Sequence, residues 1–282
     1  MKIVRTVDEV RASLAGVRRS GQRIGFVPTM GAFHAGHLAL MHRARGENDV
    51  VVVSLFVNPT QFNDASDLAA YPRTESADAA QAESAGTDLL FAPSGDEMYP
   101  PGFATTVSVA GLGDALEGAV RGPEHFRGVA TVVATLLNIV QPGALYLGQK
   151  DAQQVAVVKR MMRDLQLPTT VVVCPTVREP DGLAMSSRNV RLAGADRARA
   201  LALRHGLDAA LALLARGERA AGALCGAATG AMARDGISPE YVVAVDPDTL
   251  QPVDPLRGDV LLAVAARVGP VRLIDNELVH IR

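Results

Sequence analysis

The 282-residue chain has only two cysteines, Cys174 and Cys225, and they form no metal-ligand or redox spacing. A disulfide scaffold is disfavoured, and a reducing cytoplasmic setting is expected. Charge of one sign is missing too. A formal net charge of −2 gives no electrostatic reason to expect nucleic acid or an anionic membrane as partner. No apolar run approaches a membrane span, and the β-branched stretch Val50–Val57 is far too short for one. Met1–Arg5 lacks the apolar core of a signal peptide. Two nucleotide fingerprints are absent as well. Where a G-x-G-x-x-G turn would mark a dinucleotide fold, the chain reads Gly31-Ala32-Phe33-His34-Ala35-Gly36, and no G-x-x-x-x-G-K-[ST] loop occurs. These absences argue against hydride transfer and against P-loop hydrolysis.

What is present is an ordinary globular balance, 48% hydrophobic and 21% charged residues, on a chain long enough for a large core and two domains. Thr6-Val7-Asp8-Glu9 has the form of a capping box, after which Val7, Val10, Leu14 and Val17 recur at helical spacing. Ile24–Val27 reads as a short buried strand and His37 to Arg45 as a helix. Val50–Val57 reads as a strand apolar at nearly every position, as in a parallel sheet covered on both faces. The alternation continues with a helix over Glu75–Ser84, a strand over Thr87–Ala92, a buried helix over Gly128–Val140 and a strand over Ala144–Leu147. A helix from near Asp151 and a strand over Thr169–Val173 complete it. The pattern predicts an α/β fold, a Rossmann-like doubly wound parallel sheet, over residues 1–176. Beyond it, Arg178–Arg191 reads as a polar connecting loop and Asp196–Arg234 as two Ala-rich helices. Tyr241–Val245, Asp259–Arg267 and Val271–Ile281 read as antiparallel strands. Residues 177–282 are thus expected to form a smaller α+β C-terminal domain.

Polar constellations fall at the junctions of these elements. His34-Ala35-Gly36-His37 stands where a strand turns into a helix. Backbone N–H groups and the helix dipole favour an anion there, and two histidines three residues apart project to one side. Without that placement the pair would read as one surface and one satisfied histidine; His42, His205 and His280, which lack such a context, are read as surface residues. Asn58-Pro59-Thr60-Gln61 follows the next strand; its amides can bind hydroxyls and carboxylates, although an Asn-Pro turn explains the segment equally well. Gly148-Gln149-Lys150-Asp151 lies at a third such junction. Lys150 can place a point charge on a phosphate, Asp151 can equally be a helix cap, and Gln154 faces the same side one turn on. Met185-Ser186-Ser187-Arg188-Asn189 sets two hydroxyls and a guanidinium in a row at the expected domain junction, or is a flexible polar turn. Glu117, Arg121 and His125 precede another helix and could equally be solvated surface. Three of these segments sit at the carboxyl ends of strands, where open α/β sheets bind ligands.

Taken together, PTMGAFHAGH (28–37), VSLFVNPTQF (53–62), YPRT (71–74), LEG (116–118), HFRGVATVV (125–133), LGQKDAQQ (147–154) and MSSRN (185–189) resemble the pantothenate synthetase (pantoate–β-alanine ligase) family of the HIGH-motif nucleotidyltransferases. The resemblance implies a two-step ligation. The carboxylate of D-pantoate attacks the α-phosphorus of ATP, giving pantoyl adenylate and pyrophosphate. β-Alanine then attacks the acyl carbon, releasing AMP and pantothenate. The resemblance also implies Mg²⁺ assistance and a homodimer. By the same resemblance, His34 and His37 contact the ATP phosphates, and Lys150, Ser186, Ser187 and Arg188 hold the triphosphate, with Met185 beside them. Asp151 meets the ribose, and Gly148 lies in the nucleotide pocket. Gln61 and Gln154 hold pantoate near Met30, while Asn58, Tyr71, Glu117, Arg121 and His125 line the cleft or its gate. A carboxylate is already ionised at neutral pH, so the histidines are expected to stabilise charge and not to abstract protons. Two departures stand out: the Arg121–His125 spacing is one residue longer than usual, and Glu75-Ser76-Ala77-Asp78 keeps few of the acids that relatives cluster near the metal. The metal ligands are therefore unassigned. Another nucleotidyltransferase or adenylating ligase of the superfamily, or a non-catalytic nucleotide-binding regulator, are the competing readings.

Overall fold

The computed structural model of the protein describes residues 1–63 and 65–281. The chain divides into two compact units, Met1–Gly148 with Val157–Cys174, and Gln149–Ala156 with Pro175–Arg282. In chain order the elements are β1 (Lys2–Val4), α1 (Val7–Arg19), β2 (Ile24–Thr29), α2 (Ala35–Glu47), β3 (Val50–Leu55), α3 (Ala65–Ala70), α4 (Glu75–Ser84), β4 (Leu89–Phe91), α5 (Gly95–Met98), α6 (Glu117–Arg121) and α7 (Pro123–Val140). There follow β5 (Ala144–Gly148), α8 (Ala152–Asp164), β6 (Thr170–Cys174), α9 (Ala195–Arg199), α10 (Ala202–Ala215), α11 (Ala221–Arg234), β7 (Pro239–Val245), β8 (Gly258–Val268) and β9 (Val271–Ile281).

In the first unit six strands form one sheet in the order β1-β4-β3-β2-β5-β6, with every pairing parallel. Local sequence accounts for the elements. The Thr6 hydroxyl accepts from the Glu9 N–H while Glu9 accepts from the Thr6 N–H, so α1 starts on a complete capping box. The valine run of β3 is buried on both faces, with Val51, Val52 and Val53 all fully enclosed. Val27, Val51, Val53, Met41, Leu90 and Tyr146 pack into one core; fully burying an apolar side chain of this size contributes about 1.5–3 kcal/mol. Because the strands run parallel, β2, β3 and β5 all deliver their carboxyl ends to one edge of the sheet. The Thr29 hydroxyl donates to the Ser54 carbonyl at 2.6 Å, tying the ends of β2 and β3 together at that edge.

The second unit carries the antiparallel sheet β7-β8-β9 and α9 to α11. Its core is built from Leu203, Leu207, Leu224, Met232, Val260 and Val264. The expected Rossmann-like α/β sheet with a smaller α+β part is therefore what the chain forms, and it differs from the expectation in details. β1 is only three residues long, too short to show a period. The stretch read as two Ala-rich helices holds three. The segment read as a polar loop contains an antiparallel bridge, Arg178 to Ala184, and a 3-10 helix over Ser187–Arg191. Among the described residues no helix is long and apolar enough to cross a membrane. Both cysteines are free thiols, and burial pushes both up from the usual thiol range.

Candidate active site

The turn from β2 into α2 is shaped by a carboxylate. Gly31 (φ 86°) and Ala32 (φ 52°) both lie in the left-handed region, which glycine tolerates and alanine adopts only under constraint. Asp78 on α4, 1% exposed, supplies that constraint. It accepts from the Ala32 N–H at 2.9 Å, the Phe33 N–H at 2.8 Å and the Thr74 hydroxyl at 3.0 Å. A Cβ at Gly31 would stand 3.0 Å from the same carboxylate. Of the acids that follow Tyr71-Pro72-Arg73-Thr74, this one is a backbone anchor.

The anchored turn delivers the two histidines. His34 is the N-cap of α2 and His37 its third helical residue, so the helix starts ahead of the expected position because the histidines themselves cap it. Nδ1 of His34 accepts from the Gly36 N–H at 3.1 Å, and Nδ1 of His37 accepts from the His34 N–H at 3.4 Å. The rings lie 4.2 Å apart, centroid to centroid. An Nδ1 that accepts carries no proton, so each neutral ring bears its proton on Nε2. Both side chains are thereby fixed as Nε2–H donors. Two N–H groups of the helix start are occupied by the histidines and do not face an anion directly.

After β3, a hydrogen-bonded cluster forms around Asn58, 1% exposed. Its Oδ1 accepts from the Tyr99 hydroxyl at 2.7 Å and the Thr60 hydroxyl at 2.9 Å. Its Nδ2 donates to Gln61 Oε1 at 3.0 Å and to the Gly128 carbonyl at 3.2 Å. The Gln61 oxygen is thus taken, and its Nε2 lies 2.9 Å from the Met30 sulfur, a weak acceptor. His125 Nδ1 lies 2.7 Å from the Gln61 carbonyl. A carbonyl can only accept, so neutral His125 is protonated on Nδ1, the opposite tautomer to the α2 pair. α7 can pack this closely because residue 128 is glycine: a Cβ there would sit 2.5 Å from the Thr60 carbonyl oxygen and 2.8 Å from the Gln61 nitrogen. Met30, Asn58, Gln61 and His125 are therefore brought together. Tyr71 packs edge-on against Phe62 at 5.6 Å. Buried Glu117 and Arg121 pair with each other at 3.1 Å along α6.

In the second unit, Lys150 lies in the 3-10 turn Gln149–Asp151, its Nζ 3.5 Å from Asp151 Oδ1. Gln154 is half-buried on α8, and Gly148 closes β5 in the first unit. Ser186 caps the 3-10 helix that follows it, its hydroxyl accepting from the Arg188 N–H at 3.3 Å. Asn189 donates to Glu179 at 2.7 Å and to the Ala184 carbonyl at 3.1 Å. The Met185–Arg188 stretch is a held turn and not a loose one, with the Met185 N–H bonded to the Val177 carbonyl at 3.0 Å. All four of its side chains are half-buried.

A family model described as pantoate-beta-alanine ligase matches residues 2–278. The chain belongs to the pantoate-beta-alanine ligase family. It is 51% identical over 281 residues to the pantothenate synthetase of Agrobacterium fabrum, covering 99% of this chain and 96% of that protein. The crystal structure of pantothenate synthetase from Thermus thermophilus superposes with a TM-score of 0.94 at 48% identity, over 100% of both chains. A Francisella tularensis pantoate-beta-alanine ligase, solved in complex with beta-gamma ATP and beta-alanine, superposes with a TM-score of 0.79 at 37% identity, over 99% of this chain and 97% of that one.

Taken unit by unit, the donors suit anions and hydroxyl groups: two imidazole N–H groups and one amide N–H₂ in the first unit, and a turn bearing Lys150 in the second. A resident metal fits less well. Among the described residues no group of three or more His, Cys, Asp or Glu side chains converges, so the described chain builds no cage for a divalent ion. Sequence reading alone passed over Tyr99, Gly128 and Asn276 and did not assign Asp78. Only Asn276 carried a visible signal, because Asp275-Asn276-Glu277 sets three polar residues in a row in the middle of a strand.

Proposed function

We propose that this chain joins D-pantoate and β-alanine to form pantothenate, consuming ATP and releasing AMP and pyrophosphate. The observation that carries the reading is the histidine pair capping α2, fixed as Nε2–H donors in a chain matching the family over residues 2–278. In the first step a pantoate carboxylate oxygen bonds to the α-phosphorus of ATP, and the bond from that phosphorus to the α,β-bridging oxygen breaks. No proton has to be removed, and transfer of this kind depends on positioning and charge neutralisation. His34 and His37 stabilise phosphate charge as donors. Lys150, Ser186, Ser187 and Arg188 hold the triphosphate, with Met185 and Gly148 in the nucleotide pocket and Asp151 at the ribose.

Pantoate is held by Gln61, whose committed oxygen leaves the N–H₂ to meet a carboxylate or hydroxyl, together with Gln154 and the Met30 side chain. Asn58 sets the orientation of Gln61, His125 fixes its backbone, and Tyr71, Glu117 and Arg121 line the cleft or its gate. In the second step the amine of β-alanine bonds to the acyl carbon, the acyl–oxygen bond to AMP breaks, and the ammonium proton passes to solvent. Mg²⁺ enters as part of the ATP substrate, coordinated mainly by phosphate oxygens and water. The working form is a cytoplasmic homodimer, which light scattering on the purified chain checks.

The deciding experiment is ATP–pyrophosphate exchange with purified protein and labelled pyrophosphate. Exchange that requires pantoate, with AMP release that requires β-alanine, is expected. Exchange supported by a different acid would assign the chain to another adenylating ligase, and no exchange with any acid would make it a nucleotide-binding regulator.

A further inference from the structure

We propose that Asn276 is a positioning residue for Lys150, acting through the 3-10 turn that carries the lysine; the inference rests on the reading of Lys150 as a triphosphate ligand. Asn276 lies in the middle of β9, opposite Ala263 of β8, and is 4% exposed. Every hydrogen-bonding group of its side chain is directed at one short segment. Nδ2 donates to the Gln149 carbonyl at 3.1 Å and to the Lys150 carbonyl at 2.9 Å, and Oδ1 accepts from Gln149 Nε2 at 2.9 Å. A lysine is a point charge on a flexible four-carbon stem. Where its ammonium can dwell depends on where its backbone is held, and here two successive carbonyls are held by one buried amide.

The neighbours on β9 explain why the strand can serve as a fixed reference. Side chains alternate faces along a strand, so Asp275 and Glu277 point opposite to Asn276. Asp275 receives both guanidinium nitrogens of Arg178, at 2.7 and 3.0 Å, and Glu277 receives Arg178 at 3.1 Å. Arg178 in turn donates to the Gly182 carbonyl at 3.1 Å, within the hairpin that leads to Ser186. The Asn276 N–H is itself bonded to Asp275 Oδ1 at 2.8 Å. One face of β9 therefore anchors the Lys150 turn, and the other anchors the approach to the serine pair.

The test measures ATP dissociation constants by calorimetry and exchange kinetics for N276A, N276D, K150A and the double variant K150A/N276A. Asn276→Asp keeps the size but turns oxygens toward two carbonyls. Both Asn276 variants are expected to weaken ATP binding about 10–100-fold, by analogy with the loss when residues that orient metal ligands are removed, with the KM for pantoate moving less than about 3-fold. In the K150A background the Asn276→Ala effect should shrink to under about 3-fold, because coupled sites are non-additive. An undiminished effect in K150A, or ATP affinity unchanged in N276A while K150A has lost it, overturns the inference. Full activity and ATP affinity in K150A would overturn the reading of Lys150 as well, which separates the two failures. If the Asn276 variants do not fold, Q149A removes one of the three bonds from a half-exposed position; it should weaken ATP binding in wild type but not in K150A, and an equal effect in both overturns the inference.

Discussion

Gln61 is the residue whose chemistry is most narrowed by its surroundings. With its oxygen accepting from Asn58, its amide is oriented to offer a substrate its N–H donors. Gln61→Glu should therefore do more harm than a neutral truncation, since it places a second carboxylate against the pantoate carboxylate. Like charges brought together cost several kcal/mol, so kcat/KM for pantoate should fall by about 10² or more. Steady-state kinetics at saturating ATP checks this, and a loss no greater than that of Gln61→Ala would count against the donor role. Tyr99→Phe is the milder probe. It deletes the 2.7 Å hydrogen bond to Asn58 Oδ1 and should lower the same constant about 5–10-fold, in line with the roughly 1 kcal/mol such a bond contributes. For the histidine pair, His37→Ala should slow adenylate formation by about 10²–10³, the range for removing one charge-stabilising donor. The same variant also frees the His34 N–H that His37 caps, so a parallel melting curve is needed to separate catalysis from folding.

The elements show why some of this could be read from the chain and some could not. The bounds of α4 and β9 follow from their local patterns, and the capping box marks the start of α1. The His34/His37 pair and the Asn58–Gln61 turn are recognisable because strand, turn and helix follow one another in sequence. Contacts between distant segments left no such trace. Asp78 meets Ala32 and Phe33 from more than forty positions away, and Gly128 meets Thr60 across a still wider gap. Both make element-level predictions. Asp78→Asn turns an acceptor into an N–H₂ facing backbone N–H groups, an unsatisfied pairing of about 1–3 kcal/mol. At about 2–4 °C per kcal/mol for a protein of somewhat smaller size, a calorimetric Tm lower by several degrees is expected. Gly128→Ala forces a Cβ onto the Thr60–Gln61 backbone. Overpacking of this kind costs about 1–3 kcal/mol, and the displaced turn should weaken pantoate binding more than ATP binding. An alanine variant with unchanged Tm and pantoate affinity would mean that α7 and the turn are not held against one another as described.

At the scale of the whole molecule, each compact unit carries proposed donors for both substrates. His34 and His37 for ATP and Gln61 for pantoate belong to the first compact unit, and Lys150, Ser186, Ser187 and Arg188 for ATP and Gln154 for pantoate belong to the second. Gln149–Ala156 falls in the second unit, where Asn276 is bonded to Gln149 and to the Lys150 carbonyl. Sequence order alone would group Lys150 with the sheet that precedes it. A ligand that binds only folded protein stabilises it by about 2.7 kcal/mol when present at a hundred times its dissociation constant. For a chain of this length that is a rise in Tm of several degrees. Wild type should show such a rise with ATP and, separately, with pantoate. Lys150→Ala should lose most of the ATP-induced rise and keep the pantoate-induced one, while Gln61→Glu should do the reverse. Thermal melts with each ligand alone read both variants without requiring turnover, so inactivity of a variant cannot mask the result. If either substitution abolished both rises equally, Lys150 and Gln61 would not serve separate substrates, and the assignment of ATP to the one and pantoate to the other would have to be abandoned.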